Sequence, residues 1–314
     1  MWRLPALAGL LAVGTALAAP DVPVLEPKLV APNVYVVTGE AGVASQANRG
    51  FNSNAGFVVT RDGVVVIDAL GTPLLGQALV NAVRKITDKP IRYAVITHYH
   101  ADHFYGLAAL KAAGAQIWAH RNGRTYLESG EGEARLKQRQ QDLQPWVDGS
   151  TTLVPADKWL DGDSAFTLGG VRFELVYLGP AHAPDDMLVI VGDSGVVFSG
   201  DILFTGRIPF VGEADSKRWL ETFSRLIALK PKVMITGHGA PSRNPAADLT
   251  MTRDYLTYLR GQMGKAVEDF IPFDEAYAKT DWGRFSSLPA FDAANRINAY
   301  GTYLLMEKES LIRK

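Results

Sequence analysis

The chain has 314 residues, 47% of them hydrophobic, and a formal net charge of −1. That length carries one large core or two modest ones, and the near-zero charge leaves no electrostatic case for a nucleic-acid partner. Cysteine is absent, which excludes disulfides, thiolate metal ligands and a cysteine nucleophile.

Met1-Trp2-Arg3 is a short basic start, residues 4–17 are apolar and Ala-rich, and Ala16-Leu17-Ala18 has the form of a small-x-small cleavage site. This is the pattern of a secretory signal peptide, residues 1–18, with cleavage expected after Ala18. No later apolar run is long enough to span a bilayer, so the expected product is periplasmic or secreted, with no membrane contact after cleavage. Residues 21–32 are Pro-rich and read as an extended lead-in, and Val34-Tyr35-Val36-Val37 as a first strand. Residues 39–54, rich in Gly, Ser and Asn, read as a loop. Residues 57–60 and 64–68 flank Arg61-Asp62-Gly63 and predict a hairpin. Asp68 ends the second of these strands, a charge that needs a partner.

The spacing of Leu75, Leu79, Val83 and Ile86 predicts an amphipathic helix over residues 73–86. A strand over 91–96 then runs into Thr97-His98-Tyr99-His100-Ala101-Asp102-His103, and a helix over 104–113 is closed by Gly114. Residues 116–120 read as a strand ending in His120. An isolated histidine there reads as a hydrogen-bonded structural group rather than a ligand. Residues 133–143 read as a solvated helix. Short strands follow over 153–157, 163–168 and 171–178, and a hairpin over 187–191 and 196–198. A loop over 203–213, a helix over 216–229 and a strand over 232–236 come next. The tail is helical over 249–259, 262–270 and 293–312.

Three histidines and an aspartate fall within six residues, at the carboxyl end of a strand, where open α/β folds place ligand sites. His98 and His100 are two apart, so in an extended segment they point the same way and can share an ion. Asp102 and His103 follow the turn and can face a second. Five of the six histidines belong to one pattern: His-x-His-x-Asp-His, then His182 in Gly179-Pro180-Ala181-His182, Asp201 in Ser199-Gly200-Asp201, and His238 in Thr236-Gly237-His238-Gly239. Each of the later three follows a strand-like run.

In order and approximate spacing this pattern resembles the metallo-β-lactamase superfamily, over roughly residues 33–245. The resemblance implies an α/β fold, the four-layer αββα metallo-β-lactamase sandwich of two halves meeting at the metals. Residues 19–245 would form it and residues 246–314 a C-terminal helical extension. It implies that His98, His100 and His182 hold one metal, that Asp102, His103 and His238 hold another, and that Asp201 bridges them. Asp102 and Asp201 are thereby also the catalytic candidates. A nitrogen and oxygen donor set fits two Zn2+, with iron and manganese left open. The chemistry implied is attack by a metal-bridging hydroxide on a carbonyl or similar electrophile. By resemblance the loop over 46–54 overhangs the metals. Asp68 supports the metal loop or caps the following helix, Asp186 supports the site, and Asp185 is a turn residue.

A histidine-rich set with a bridging aspartate is similar to glyoxalase II and the lactonases. The expected activity is a dinuclear zinc hydrolase of a thioester, lactone or similar small ester, a small-molecule substrate. The leader, Asn54-Ala55-Gly56-Phe57 and Gly200-Asp201-Ile202-Leu203-Phe204 resemble an exported branch that includes sulfur-oxidation-associated hydrolases and quinoprotein relay zinc metallohydrolases. One alternative is a periplasmic β-lactam hydrolase, with Arg207 or Arg49 gripping the lactam carboxylate. Others are a mononuclear iron oxidoreductase of the persulfide dioxygenase kind, and a quinoprotein accessory protein.

Overall fold

The computed structural model describes residues 21–312. The leader expected over residues 1–18 lies outside the described residues. Seven strands form one sheet in sequential order: β1 (Lys28–Ala31), β2 (Val34–Val37), β3 (Ala55–Val59), β4 (Val64–Ile67), β5 (Ile91–Val95), β6 (Gln116–His120) and β7 (Lys158–Leu160). Five more form a second, in the order β12 (Val233–His238), β11 (Val196–Phe204), β10 (Met187–Val191), β9 (Val171–Tyr177) and β8 (Ser164–Leu168). The first four strands are antiparallel, and β4 to β7 run parallel.

The strands are apolar on both faces because each face is covered. On β4, Val65 and Ile67 pack between the sheets with Phe173, Val189, Phe198 and Ile235, while Val64 and Val66 face the other way, against helices. Those helices are α1 (Pro73–Ile86), which brings Leu75, Leu79 and Val83, and α3 (Leu107–Ala112), which brings Leu107 and Leu110. On the second sheet, Leu188, Val197 and Met234 face α6 (Ser216–Ala228) and α7 (Pro245–Glu268) through Trp219, Phe223, Leu226 and Leu256. This is the four-layer sandwich. Each fully buried aliphatic or aromatic side chain contributes about 1.5–3 kcal/mol.

The termini of α1 follow their chemistry. Thr72 Oγ1 accepts from Leu75 N–H at 3.1 Å, Pro73 opens the helix, and Arg84 and Lys85 sit in its last turn. The helix expected over 104–113 is divided into α2 (Ala101–Phe104) and α3, so helix begins inside the histidine motif. The division falls at Gly106, where a Cβ would lie 1.9 Å from Ala69 O and 2.7 Å from Gly76 Cα. Residues 153–157 make no strand; Pro155 has no N–H to give a ladder, and pairing starts at β7. β11 runs past its expected end to Phe204, with irregular register at Gly200. Between β6 and β7 lie α4 (Asn122–Glu128) and α5 (Glu131–Asp142). The tail forms α7 as one helix, then α8 (Phe273–Lys279) and α9 (Phe291–Ile312), with α7 and α9 packed together on the outer face of the second half.

Candidate metal centre

The metal-motif loop leaves β5, and the later candidates arrive from the second half: His182 after β9, Asp201 inside β11 and His238 at the end of β12. Three groups of donor atoms each gather within 4.8 Å: His98, His100 and His182; His98, His103 and Asp201; Asp102, His103 and His238. All seven residues singled out in the sequence are therefore brought together. Asp201 lies among them. Its Oδ1 is 3.2 Å from His103 Nε2, and its Oδ2 is 3.3 Å from both His182 Nε2 and His238 Nε2. His100 Nδ1 and His182 Nε2 are 2.9 Å apart. Gly237 lets β12 approach: a Cβ there would stand 1.8 Å from Asp201 Oδ1.

Asp68 holds the motif from behind. Its carboxylate accepts from Thr97 N–H at 2.8 Å and Thr97 Oγ1 at 2.9 Å, and faces His103 Nδ1 at 3.0 Å. Thr72 caps α1, so Asp68 is the brace of the motif loop and not a cap. Asp185, expected as a turn residue, is buried and accepts from Tyr99 N–H at 2.9 Å. Burial pushes its carboxyl up to about 7. Asp186 accepts from Ala183 N–H at 2.7 Å, and burial raises it well above the usual carboxylate range. His120 joins none of the donor groups. It stacks on Tyr177 with ring centroids 3.9 Å apart, and its Nδ1 accepts from Asn122 N–H at 3.3 Å.

The segment over residues 46–54, expected by resemblance to overhang the metals, ends in buried structure. Asn52 Nδ2 donates to Asp102 Oδ2 at 2.9 Å, and its carbonyl accepts from His238 Nδ1 at 2.6 Å. Ser53 Oγ donates to Asp102 O at 2.5 Å. Asn54 Nδ2 donates to Thr236 O at 2.8 Å and Gly239 O at 2.7 Å, on either side of His238. Asn52-Ser53-Asn54 directly before the apolar run of β3 is the only signal available, and composition alone reads these residues as a loop. Arg207 is also buried. Its Nη1 donates to Gly42 O at 2.7 Å and lies 3.3 Å from His238 Nδ1. Burial lowers its pKa, against the pull of Asp201 and Asp102. Arg49 lies elsewhere, over the Trp146 ring at 5.1 Å. Asn298 of α9 fixes the loop that carries Arg207: its Oδ1 accepts from Val211 N–H at 2.7 Å and its Nδ2 donates to Pro209 O at 2.8 Å.

The donor chemistry suits divalent cations. In the neutral rings, with Nδ1–H of His103 and His238 spent on Asp68 and the Asn52 carbonyl, both Nε2 atoms are lone-pair acceptors. Both face carboxylate oxygens, which are acceptors too, at 3.2–3.4 Å. Acceptors this close attract one another only through a cation. His98 Nε2, His103 Nε2 and Asp201 Oδ1 are buried without a hydrogen-bond partner. Burial keeps His98, His100 and His182 neutral, with His100 held down to about 4 and His182 to about 3. For Asp102 and Asp201 burial works against ionisation, but the surrounding imidazoles outweigh it and both stay charged. For His103 burial is outweighed in turn by Asp201 and Asp68, which raise its pKa and give a proton the cation's place between them.

Residues 48–238 match the family model of the metallo-beta-lactamase superfamily. The chain is 24% identical over 259 residues to a linear primary-alkylsulfatase of Pseudomonas sp. (strain ATCC 19151), an alignment covering 69% of this chain and 48% of that protein. Among solved structures it resembles an inverting sec-alkylsulfatase of Pseudomonas sp. at TM-score 0.69 and 20% identity, over 90% of this chain and 50% of the other. It resembles a metallo-beta-lactamase of Pontibacter korlensis at TM-score 0.57 and 21% identity, over 74% of this chain and 99% of the other. The chain thus spans about half the length of the alkylsulfatases it matches. The pattern of donors, the two-sheet architecture and the family match agree: the chain belongs to the metallo-beta-lactamase superfamily.

Proposed function

We propose that this protein is a metal-dependent hydrolase that takes two divalent ions, zinc first among them, and cleaves a small ester-type substrate such as a thioester or lactone. His98, His100 and His182 would hold one ion, Asp102, His103 and His238 the other, with Asp201 between. The observation that carries this reading is the facing of histidine Nε2 atoms and carboxylate oxygens across the cluster at 3.2–3.4 Å. When bound, such a pair of ions supplies Lewis acidity and lowers the pKa of water. The chain's own part is preorganisation. Asp68 and the Asn52 carbonyl keep the Nδ1 protons of His103 and His238 turned away from the cluster, and Asp102 and Asp201 bring the negative charge that cations require. Membership in a family of metal-dependent hydrolases supports the reaction class. Export with loss of residues 1–18, and a sandwich over residues 19–245 followed by a helical extension over 246–314, complete the reading.

A second reading is sulfate-ester hydrolysis. It is favoured by the buried cation Arg207 beside the donor cluster, which suits an anionic substrate group. The greater coverage of this chain by the alkylsulfatase fold than by the lactamase fold also supports it. The test is a rate panel on the zinc-loaded protein with a glutathione thioester, a lactone, a primary alkyl sulfate and a chromogenic β-lactam. Preference for the thioester or lactone supports the first reading, and preference for the sulfate ester replaces it with the second. A lactam preference makes the protein a β-lactamase. Inactivity on all four, with bound iron and oxygen consumption, overturns hydrolysis in favour of an oxidoreductase.

A further inference from the structure

The geometry points to Asn52 as a positioning residue that sets the affinity of the ion held by Asp102, His103 and His238, separately from the other ion; this rests on the two-ion reading above. Asn52 is 5% exposed and stands between a carboxylate and an imidazole of one donor group. Its amide must present Nδ2 to Asp102, since a carboxylate only accepts, so the amide orientation is settled by its partner. This is the one hydrogen bond that the Asp102 carboxylate receives among the described residues. It spends a single lone pair of Oδ2 and leaves the rest of the carboxylate for a cation. From the same residue the carbonyl takes the His238 Nδ1 proton and so presents Nε2 to the cluster. One residue thus orients two of the three donors in this group, and it makes no hydrogen bond to His98, His100 or His182 among the described residues. The first group is braced elsewhere: His98 Nδ1 lies 3.1 Å from Thr97 Oγ1, and Tyr99 N–H donates to Asp185.

The support is stiff as well as local. Asn48 braces the loop internally: its Nδ2 donates to Val43 O at 2.8 Å, and its Oδ1 accepts from Ser45 N–H at 2.9 Å and Gly50 N–H at 3.1 Å. Arg207 holds the same loop at Gly42. A donor presented from a rigid loop fixes the Asp102 rotamer before any ion arrives, so the entropy of ordering that carboxylate is already spent in folding.

The experiment is a titration of the metal-free full chain with zinc against a competing chelator, resolving two dissociation constants. Asn52→Ala should weaken the Asp102 group by about 10–100-fold, the usual loss for an outer partner of a metal ligand, and leave the other constant unchanged. Asn52→Asp, which keeps the shape but turns the donor into a like charge, should weaken it at least as much. In an Asp102→Ala background, Asn52→Ala should add nothing, because its side chain acts through that carboxylate. Asn48→Ala, which loosens the loop but keeps the Asn52 amide, should weaken the same constant by less than Asn52→Ala does. Equal weakening of both ions, no weakening, additivity with Asp102→Ala, or a loss from Asn48→Ala as large as that from Asn52→Ala would each overturn the assignment. A wild-type chain that binds two ions but shows no split in Asn52→Ala loses only this inference, whereas one that binds neither zinc, iron nor manganese loses the metal reading itself.

Discussion

Two loops meet at the donor cluster, and they are held by different parts of the molecule. The loop over residues 39–54 is tied to the ligand carriers themselves, through Asn52 and Ser53 to Asp102 and through Asn54 to the strand end that presents His238. The loop over residues 205–213 is tied to the C-terminal helices, through Asn298 to Pro209, Val211 and Gly212 and through Pro289 O to Ile208 N–H. They touch where Arg207 donates to Gly42 O. The difference separates two determinants of one site. Disturbing the first loop acts on the donors, and disturbing the second acts on the cation beside them. The C-terminal segment therefore supports the loop that carries Arg207 as well as covering the second sheet.

The carboxylate in the middle of the donor cluster should show the largest effect and no distinction between the loops. Asp201→Ala removes the carboxylate that touches His103, His182 and His238, so hydrolysis should fall by orders of magnitude and metal content should drop with it. Parallel measurement of bound metal and turnover checks this, and near-normal turnover would break the two-ion scheme. Next comes the second loop alone. Asn298→Leu keeps the volume but leaves the buried N–H groups of Val211 and Gly212 without acceptors, a loss of about 3 kcal/mol in stability. Metal stoichiometry should hold while KM for an anionic substrate rises through Arg207. If this variant loses metal instead, the separation between the two loops is wrong.

How far each part was legible in the sequence follows from how local its signal is. The motif from His98 to His103 is contiguous, so its spacing on a strand end carries its own geometry. His182, Asp201 and His238 each follow an apolar run, and the order of runs was readable. The braces were not. Asn52 looks like any loop asparagine until the chain folds it against Asp102, fifty positions away. Asp185 sits in a Pro-Asp-Asp sequence that reads as a turn, and only the contact with Tyr99 N–H buries it. β11 was read too short because Asp201 interrupts its apolar pattern, although parallel pairing with β12 continues to Phe204. Long-range partners override local pattern wherever a charge is buried by design of the site.

The smallest effect tests the boundary of the cluster. His120 is the histidine outside it, buried at the end of β6, and burial lowers its pKa, with Arg121 adding to the effect. Its folded pKa therefore lies below the unfolded value of about 6.5, so the unfolded chain takes up the proton first on acidification. The neutral ring contributes its full stacking on Tyr177 above that pH, and the contribution shrinks as pH falls below it. His120→Gln should lose about 1 kcal/mol at pH 8 from the missing ring contact. In metal-free protein the gap from wild type should narrow between pH 7 and 5, because glutamine has no proton to gain. Denaturant midpoints across that range measure the gap, and zinc titration should still find both ions. A gap that widens toward pH 5 would mean that folded His120 is protonated, with an acidic partner that stacking on Tyr177 does not supply. Loss of an ion would place His120 inside the metal centre and redraw its edge.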